Sequence, residues 1–548
     1  MSVGNGGDLL VRILREAQVD TVFGVVSVHN QPLVQAVSAQ LRFVPVRHEA
    51  SAVSAADGYA RITGRLGCAL TSTGTGAGNA AGSLVESLSA GTSVLHVTGQ
   101  VESRYLGSGR GFIHETKDQL SMLGAVSVYA TTVQDATTAG KTLRDAVAYA
   151  LGVPGGPASV EWPIDLQYAE QEDHPQPMTP SRLPKPEPEP LATALDLLSR
   201  AERPLIWAGG GCKLSGSELA ELVDRWGAGL LTSNSGRGAV AEGHRLCVGN
   251  YATAPGGRAL LAEADLLLSL GTHFRSNETS DYSLAVPAIH VQVDLDPAAP
   301  GRVYPATAAV VADVGDFLHA ALRRADLGST VDPGWRERIQ HTRAEVRTQQ
   351  RANLGEHAVL CDAVRAAFPS ESPIARDVTI ASSSWGNRLL SLCDPRTNIF
   401  PRGGGIGQGL GMALGAALGA PDRPTLCIAG DGGLAVHLGE LLTLAQEQPW
   451  LVLMVFNDQG YGVLRNMQDG SGSPRYGVDL STPDFATLAE AIRVRYLRIG
   501  GPQDARPVLD EAVALHAPVL VEVDLAAYGA MPTPFTPPVS VPNAKDVQ

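Results

Sequence analysis

Two apolar runs in "CIAGDGGLAVHLGELLTLAQEQPWLVLMVFND", residues 427–458, each end in an acid: Asp431 after the first and Asp458 after the second. Gly430, Gly432 and Gly433 surround the first acid. Backbone N–H groups in such a turn can approach a phosphate with no side chain in the way, and a helix starting there favours the negative charge. A carboxylate beside a phosphate repels it unless a divalent cation lies between them. Carboxylate and phosphate oxygens together are the ligand set that magnesium prefers. The order GDG, 24 residues, then ND therefore points to a cation-bridged phosphate, beyond two acids that merely cap strand ends and helix starts.

That chemistry requires the acids to meet. Residues 425–429 read as a buried strand, 434–447 as an amphipathic helix with Leu438, Leu441, Leu442, Leu444 and Ala445 on one face, and 450–456 as a second buried strand. Such a unit is a right-handed crossover between parallel strands, whose carboxyl ends lie on one edge of the sheet. If the strands are neighbours, or one strand apart, the two acids share the crevice where ligands of open α/β sheets bind.

The rest of the chain repeats this plan. Short apolar runs alternate with amphipathic stretches: "TVFGVV", "RFVPVR", "GCALTST" and "SVLHVTG"; then "PLIWAGG", "GLLTS", "DLLLSLG" and "AIHVQVDLD"; then "TLCIAG", "WLVLMVF" and "PVLVEVDL". The expected fold class is α/β, with three doubly wound parallel-sheet domains. A charged, proline-rich stretch at 170–190 reads as a linker, and a loop with a polar helix at 324–350 is a second seam. The expected domains are 1–170, 190–325 and 350–535, followed by a proline-rich tail. "GGGIGQGLGMALGAALGA", 403–420, is apolar but dominated by glycine and alanine, so a buried helix packed by small faces is expected in place of a membrane span.

Composition narrows the partners. A formal net charge of -14 argues against nucleic acid or an anionic membrane. Six scattered cysteines without a CxxC pair read as reduced thiols of a cytoplasmic protein, and the N-terminus carries no basic-then-apolar signal pattern.

The GDG–ND stretch resembles the diphosphate motif of thiamine diphosphate (ThDP) enzymes. The whole chain resembles their acetolactate synthase-like branch of 2-oxo-acid decarboxylases and carboligases, built from pyrimidine-binding, central and diphosphate-binding domains. The resemblance implies Mg²⁺ on the side chains of Asp431 and Asp458 and on the carbonyl of Gly460, with Gly432 and Gly433 beside the diphosphate. The family usually has asparagine where this chain has Asp458, so Asn457 after a one-residue shift is the alternative ligand. "FVPVRHEASAVSAADGYAR" resembles the segment whose glutamate protonates the aminopyrimidine N1′, which assigns that role to Glu49. By the same likeness Ile406 is the apolar wedge under the cofactor's ring junction, and Gly404 offers a carbonyl to its amino group. Asn79, Ser382, Ser383, Val463 and Leu464 are further cofactor contacts.

The resemblance also implies a reaction class: loss of CO₂ from a 2-oxo acid such as pyruvate, then protonation, addition to an aldehyde or ketone acceptor, or oxidation. His29 matches a histidine of benzaldehyde-lyase-like members, and His114 stands where acetolactate synthases carry glutamine. Both are candidate proton shuttles, against structural hydrogen bonders. "PLIWAGGGCKLSG" lacks a full dinucleotide pattern, but some relatives bind FAD in this domain, so a flavin-linked oxidase is an alternative, as is a catalytically silent subunit. In the family the pyrimidine domain of one subunit faces the diphosphate domain of another, so a homodimer or homotetramer is expected.

Overall fold

The computed structural model describes residues 4–174 and 183–537. It contains three six-stranded sheets, every strand pair in them parallel. The first holds β1 (Thr21–Gly24), β2 (Arg42–Pro45), β3 (Gly67–Thr71), β4 (Val94–Gln100), β5 (Tyr129–Thr132) and β6 (Pro157–Pro163). The second holds β7 (Pro204–Ala208), β8 (Gly229–Thr232), β9 (Cys247–Gly249), β10 (Leu266–Leu270), β11 (Ile289–Asp294) and β12 (Ala308–Val311). The third holds β13 (Ile374–Arg376), β14 (Asn398–Ile399), β15 (Thr425–Gly430), β16 (Leu451–Asn457), β17 (Arg495–Ile499) and β18 (Val519–Asp524). Helices interleave the strands and cover both faces, which is why strands such as β16 are buried at successive residues.

The outer sheets share one plan. Their orders are β2-β1-β3-β4-β6-β5 and β14-β13-β15-β16-β18-β17. Counted from each sheet's first strand, both run second, first, third, fourth, sixth, fifth. The central sheet, β12-β11-β10-β7-β8-β9, has the order of a dinucleotide-binding fold.

All eleven quoted apolar runs are strands. β5, β6, β9, β12, β13, β14 and β17 were not anticipated. Three local expectations change. The helix expected over 403–420 spans Gly409–Gly419, and 403–408 is a loop. The helix expected over 434–447 is broken: Asp431–Val436, a tight turn at Leu438–Glu440, then Leu441–Glu447. The break turns Glu440 toward the first sheet's segment, where its carboxylate accepts the Arg47 N–H at 2.9 Å. The linker is shorter than 170–190, because a helix begins at Pro188; its residues 175–182, like 538–548 of the tail, lie outside the described residues. No described helix is long and apolar enough to cross a membrane.

The helix Gly409–Gly419 packs against the helix Glu49–Thr63 at backbone contact. A Cβ at Gly415 would overlap the Ala55 carbonyl, and one at Gly58 the Met412 carbonyl. Small residues thus join the first and third segments within one chain.

Candidate active site

β15 and β16 are direct neighbours, with Gly430 opposite Phe456. Asp431 and Asp458 therefore leave the same sheet edge side by side, and both line a cavity of about 390 Å³. The cavity draws only on residues between His357 and Met531. Its other walls include Thr379, Ser384, Trp385, Phe456, Val463 and Leu464, with Ile406 at one edge.

Asp431 opens the helix Asp431–Val436. Its Oδ2 accepts the Gly460 N–H at 2.8 Å, while its Oδ1 is buried without a hydrogen bond of good geometry. Burial raises the Asp431 carboxyl above the usual range. Asp458 is raised too, first by burial and then by the charge of Asp431. Arg465 opposes this: its Nη1 lies 3.6 Å from Asp458 Oδ2. Gly462 is needed as glycine, because a Cβ there would overlap the Asp458 carboxylate.

Asn457 faces away. Its Nδ2 donates to Glu522 Oε1 of β18 at 2.7 Å, as expected when successive strand residues point to opposite faces. Two converging carboxylates, one oxygen of which meets no donor, suit a divalent cation; Gly432 and Gly433 line the same cavity, and a Cβ at Gly432 would lie 2.9 Å from the Gly460 carbonyl oxygen. The donor set therefore fits a metal-bridged diphosphate.

A second cluster stands at the carboxyl edge of the first sheet. Glu49, the first residue of its helix, accepts the Asn79 Nδ2–H at 3.0 Å, and its Oε1 would be 2.8 Å from a Cβ on Gly76. Asn79 thus touches the glutamate directly. His29, after β1, and His114, after β4, approach with their Nδ1 atoms 3.4 Å apart. His29 is buried and His114 exposed. Burial, then the neighbouring His114, lowers the His29 pKa, which keeps its ring neutral at pH 7.

Other expected residues stand elsewhere. Ser382 and Ser383 line a neighbouring cleft between the central and third sheets, and so does Gly404, while only Ser384 of that serine run reaches the cavity of Asp431. The glycines after β7 serve packing: a Cβ on Gly211 would lie 2.8 Å from Gly271 Cα. β8 ends in Thr232 and Ser233, where a dinucleotide fold carries a ribose-binding acid. The central segment thus shows a dinucleotide strand order without the acid that marks NAD binding in that fold. Sequence reading missed Glu86, Asp377 and Arg465. Asp377 follows a three-residue strand with no periodicity to reveal it, and Glu86 lies inside a helix.

Three family models match in the order of the three sheets: thiamine pyrophosphate enzyme N-terminal TPP binding domain over residues 4–122, central domain over 191–321, and C-terminal TPP binding domain over 380–523. The chain belongs to the thiamine pyrophosphate enzymes. Among its relatives in this family is a probable 2-ketoarginine decarboxylase of Pseudomonas aeruginosa, 31% identical over 491 residues, 88% of each chain. A probable acetolactate synthase large subunit of Methanococcus aeolicus is 26% identical, covering 94% of this chain and 91% of its own. A pyruvate oxidase of Lactiplantibacillus plantarum is 26% identical, covering 96% and 89%. The thiamine pyrophosphate enzyme described here thus sits within an acetolactate synthase-like group of decarboxylases and carboligases.

Proposed function

We propose that this protein is a ThDP- and Mg²⁺-dependent carbon–carbon lyase or carboligase acting on a 2-oxo acid such as pyruvate. The observation that carries the reading is the convergence of Asp431 and Asp458 at adjoining strand ends, with an orphaned Asp431 oxygen in a largely apolar cavity. In this proposal Asp431, Asp458 and the Gly460 carbonyl hold Mg²⁺, and Gly432 and Gly433 present N–H groups to the diphosphate. The bound cofactor would supply an electron sink for the carbon that loses CO₂.

The chain's own residues do the rest. Glu49, oriented by Asn79, holds a proton at the aminopyrimidine N1′. Ile406, Val463 and Leu464 set the apolar walls against the cofactor's rings. His29, neutral at pH 7, takes and returns a proton at the substrate oxygen, with His114 as its relay. Trp385 and Phe456 close the cavity floor to water. Ser382 and Ser383 face the neighbouring cleft and take no part in this scheme. The spans 1–170, 190–325 and 350–535 act as the pyrimidine, central and diphosphate units.

The cavity of Asp431 includes no residue before His357, so Glu49 of the partner subunit completes it in a homodimer or a dimer of dimers. The protein works in the cytoplasm. Replacing Glu49 by glutamine is expected to abolish C2 proton exchange of bound ThDP; unchanged exchange refutes the assignment. Product analysis by mass spectrometry with pyruvate, 2-ketoarginine and a panel of aldehyde acceptors identifies donor and acceptor.

A further inference from the structure

The loop that carries Ile406 is held in an unusual way. In "GGGIGQG", residues 403–409, alternate backbone amides are taken up by two buried carboxylates from two different sheets. Glu86, on the helix Thr75–Ala90 beside the first sheet, accepts Gly403 N–H at 2.5 Å on Oε2 and Gly405 N–H at 2.7 Å on Oε1. Asp377, the residue after β13, accepts Gly407 N–H at 2.9 Å and Gly409 N–H at 3.4 Å on Oδ2. Glu86 is 3% and Asp377 2% exposed. Gln408 adds a third tether, its Oε1 accepting from Ser54 and, at 2.7 Å, from Ser83.

Burying two carboxylates is costly unless their hydrogen bonds are met. Asp377 can be understood in part as a cap on the helix Gly409–Gly419, since one of its two partners, Gly409, is that helix's first free amide. Glu86 cannot, because Gly403 and Gly405 precede any helix. What the two acids share is Ile406, the residue between their partners. The glycines fit them closely: a Cβ at Gly403 or at Gly405 would lie 2.8 Å from Glu86 Oε1. Ile406 itself remains 37% exposed at the cavity edge, a bulky side chain on an otherwise fastened loop.

We propose that Glu86 and Asp377 are positioning residues that fix the peptide planes on either side of Ile406 and thereby hold this side chain against the bound cofactor. The inference rests on the reading that the cavity takes ThDP. Both oxygens of Glu86 are used, one per amide. A glutamine offers one acceptor and turns an NH₂ group toward the other amide, so Glu86→Gln removes half of the clamp with little change in shape.

The test follows ThDP affinity in saturating Mg²⁺, C2 hydrogen–deuterium exchange of bound ThDP, and thermal melting, in the full-length protein. Glu86→Gln is expected to slow exchange about tenfold, the effect of one charge-assisted hydrogen bond, and to change ThDP affinity by less than about threefold. Ile406→Ala alone also slows exchange, and adding Glu86→Gln to it has no further effect, because coupled residues are not additive. Gly405→Ala, which displaces the Glu86 carboxylate from the other side, reproduces the slowing and decides the matter if Glu86→Gln does not fold. Normal exchange in Glu86→Gln or Gly405→Ala, or an equal further loss on the Ile406→Ala background, overturns the clamp alone. Failure of the unmodified protein to bind ThDP overturns both the clamp and the cofactor reading.

Discussion

Asp458 sets a second carboxyl group beside Asp431, and Arg465 is the cation that faces it. Besides lying 3.6 Å from the Asp458 carboxylate, Arg465 donates to the backbone carbonyls of Asp458 at 3.1 Å and Gln459 at 3.2 Å, and pairs with Asp479 at 2.8 Å. These contacts tie the loop before Gly460 to the helix Gly462–Ser471 that carries Arg465. A second carboxylate strengthens attraction for a divalent ion. Asp458→Asn is thus expected to weaken Mg²⁺ binding about tenfold, roughly 1.4 kcal/mol, in a calorimetric titration at fixed ThDP; unchanged affinity means that Asp458 is not a ligand. His29 makes the other prediction at this scale. With its pKa lowered by burial and then by His114, its neutral form persists below pH 6.5, and kcat/KM should fall only under that value. Replacing His114 by asparagine removes the neighbouring charge, so the acid limb should move to higher pH. A limb that stays in place shows that another group sets it. At this scale the acids and glycines were legible because their types and spacing carry the chemistry. Asn79 was expected as a cofactor contact, but its hydrogen bond to Glu49 was not legible, because it depends on the N-terminal ends of two helices meeting at the sheet edge.

Length alone did not decide which elements were readable: the four-residue β1 and β2 were anticipated and the seven-residue β6 was not. β15, β16 and β18 are apolar runs that no exposed face interrupts, whereas β9, β13 and β14 span three, three and two residues, too short for any period to show. The break at His437 was invisible for another reason. His437 Nδ1 lies 3.1 Å from the Gly407 carbonyl and its ring meets that of His48, so tertiary partners override a continuous helical pattern. The paired helices Glu49–Thr63 and Gly409–Gly419 give a stability test. Gly415→Ala would push a Cβ into the Ala55 carbonyl, which cannot yield as a side chain would, and should cost about 2 kcal/mol or more in a urea unfolding curve. A cost near zero means the helices separate easily. In β4, His96 is wholly buried between Thr71 and Ser159, and burial pushes its imidazole down from 6.5 to about 4. A depressed histidine favours folding while both states are neutral, and that stability is lost as pH falls from 6.5 toward 4, because the unfolded chain protonates first. The loss is on the order of 3 kcal/mol. His96→Gln should flatten the decline of melting temperature over this window; an unaltered slope places the acid sensitivity elsewhere.

The whole molecule repeats one sheet plan at its two ends, and the repeat places like turns at like positions. The third strand of the first sheet, β3, runs into the turn at Gly74 and the helix that carries Asn79; the third strand of the last, β15, runs into the GDG turn of Asp431. Residue similarity between the halves is too low to show this in the sequence, since a shared strand order constrains which positions are buried and not which side chains fill them. The plan also separates the two clusters. Every residue lining the cavity of Asp431 lies between His357 and Met531, while Glu49 engages Asn79 at the edge of another sheet. If one chain's Glu49 serves its partner's Asp431, the two defects must complement across subunits. Chains carrying Glu49→Gln and chains carrying Asp431→Asn should each be inactive. A mixed dimer then holds one site with both defects and one site with neither. Random reassociation makes about half of the dimers mixed, so about a quarter of the original activity should return on dissociating and remixing the two variants. No recovery, with mixed dimers demonstrated by mass spectrometry, would place both carboxylates of each working site in the same chain and remove the need for a partner.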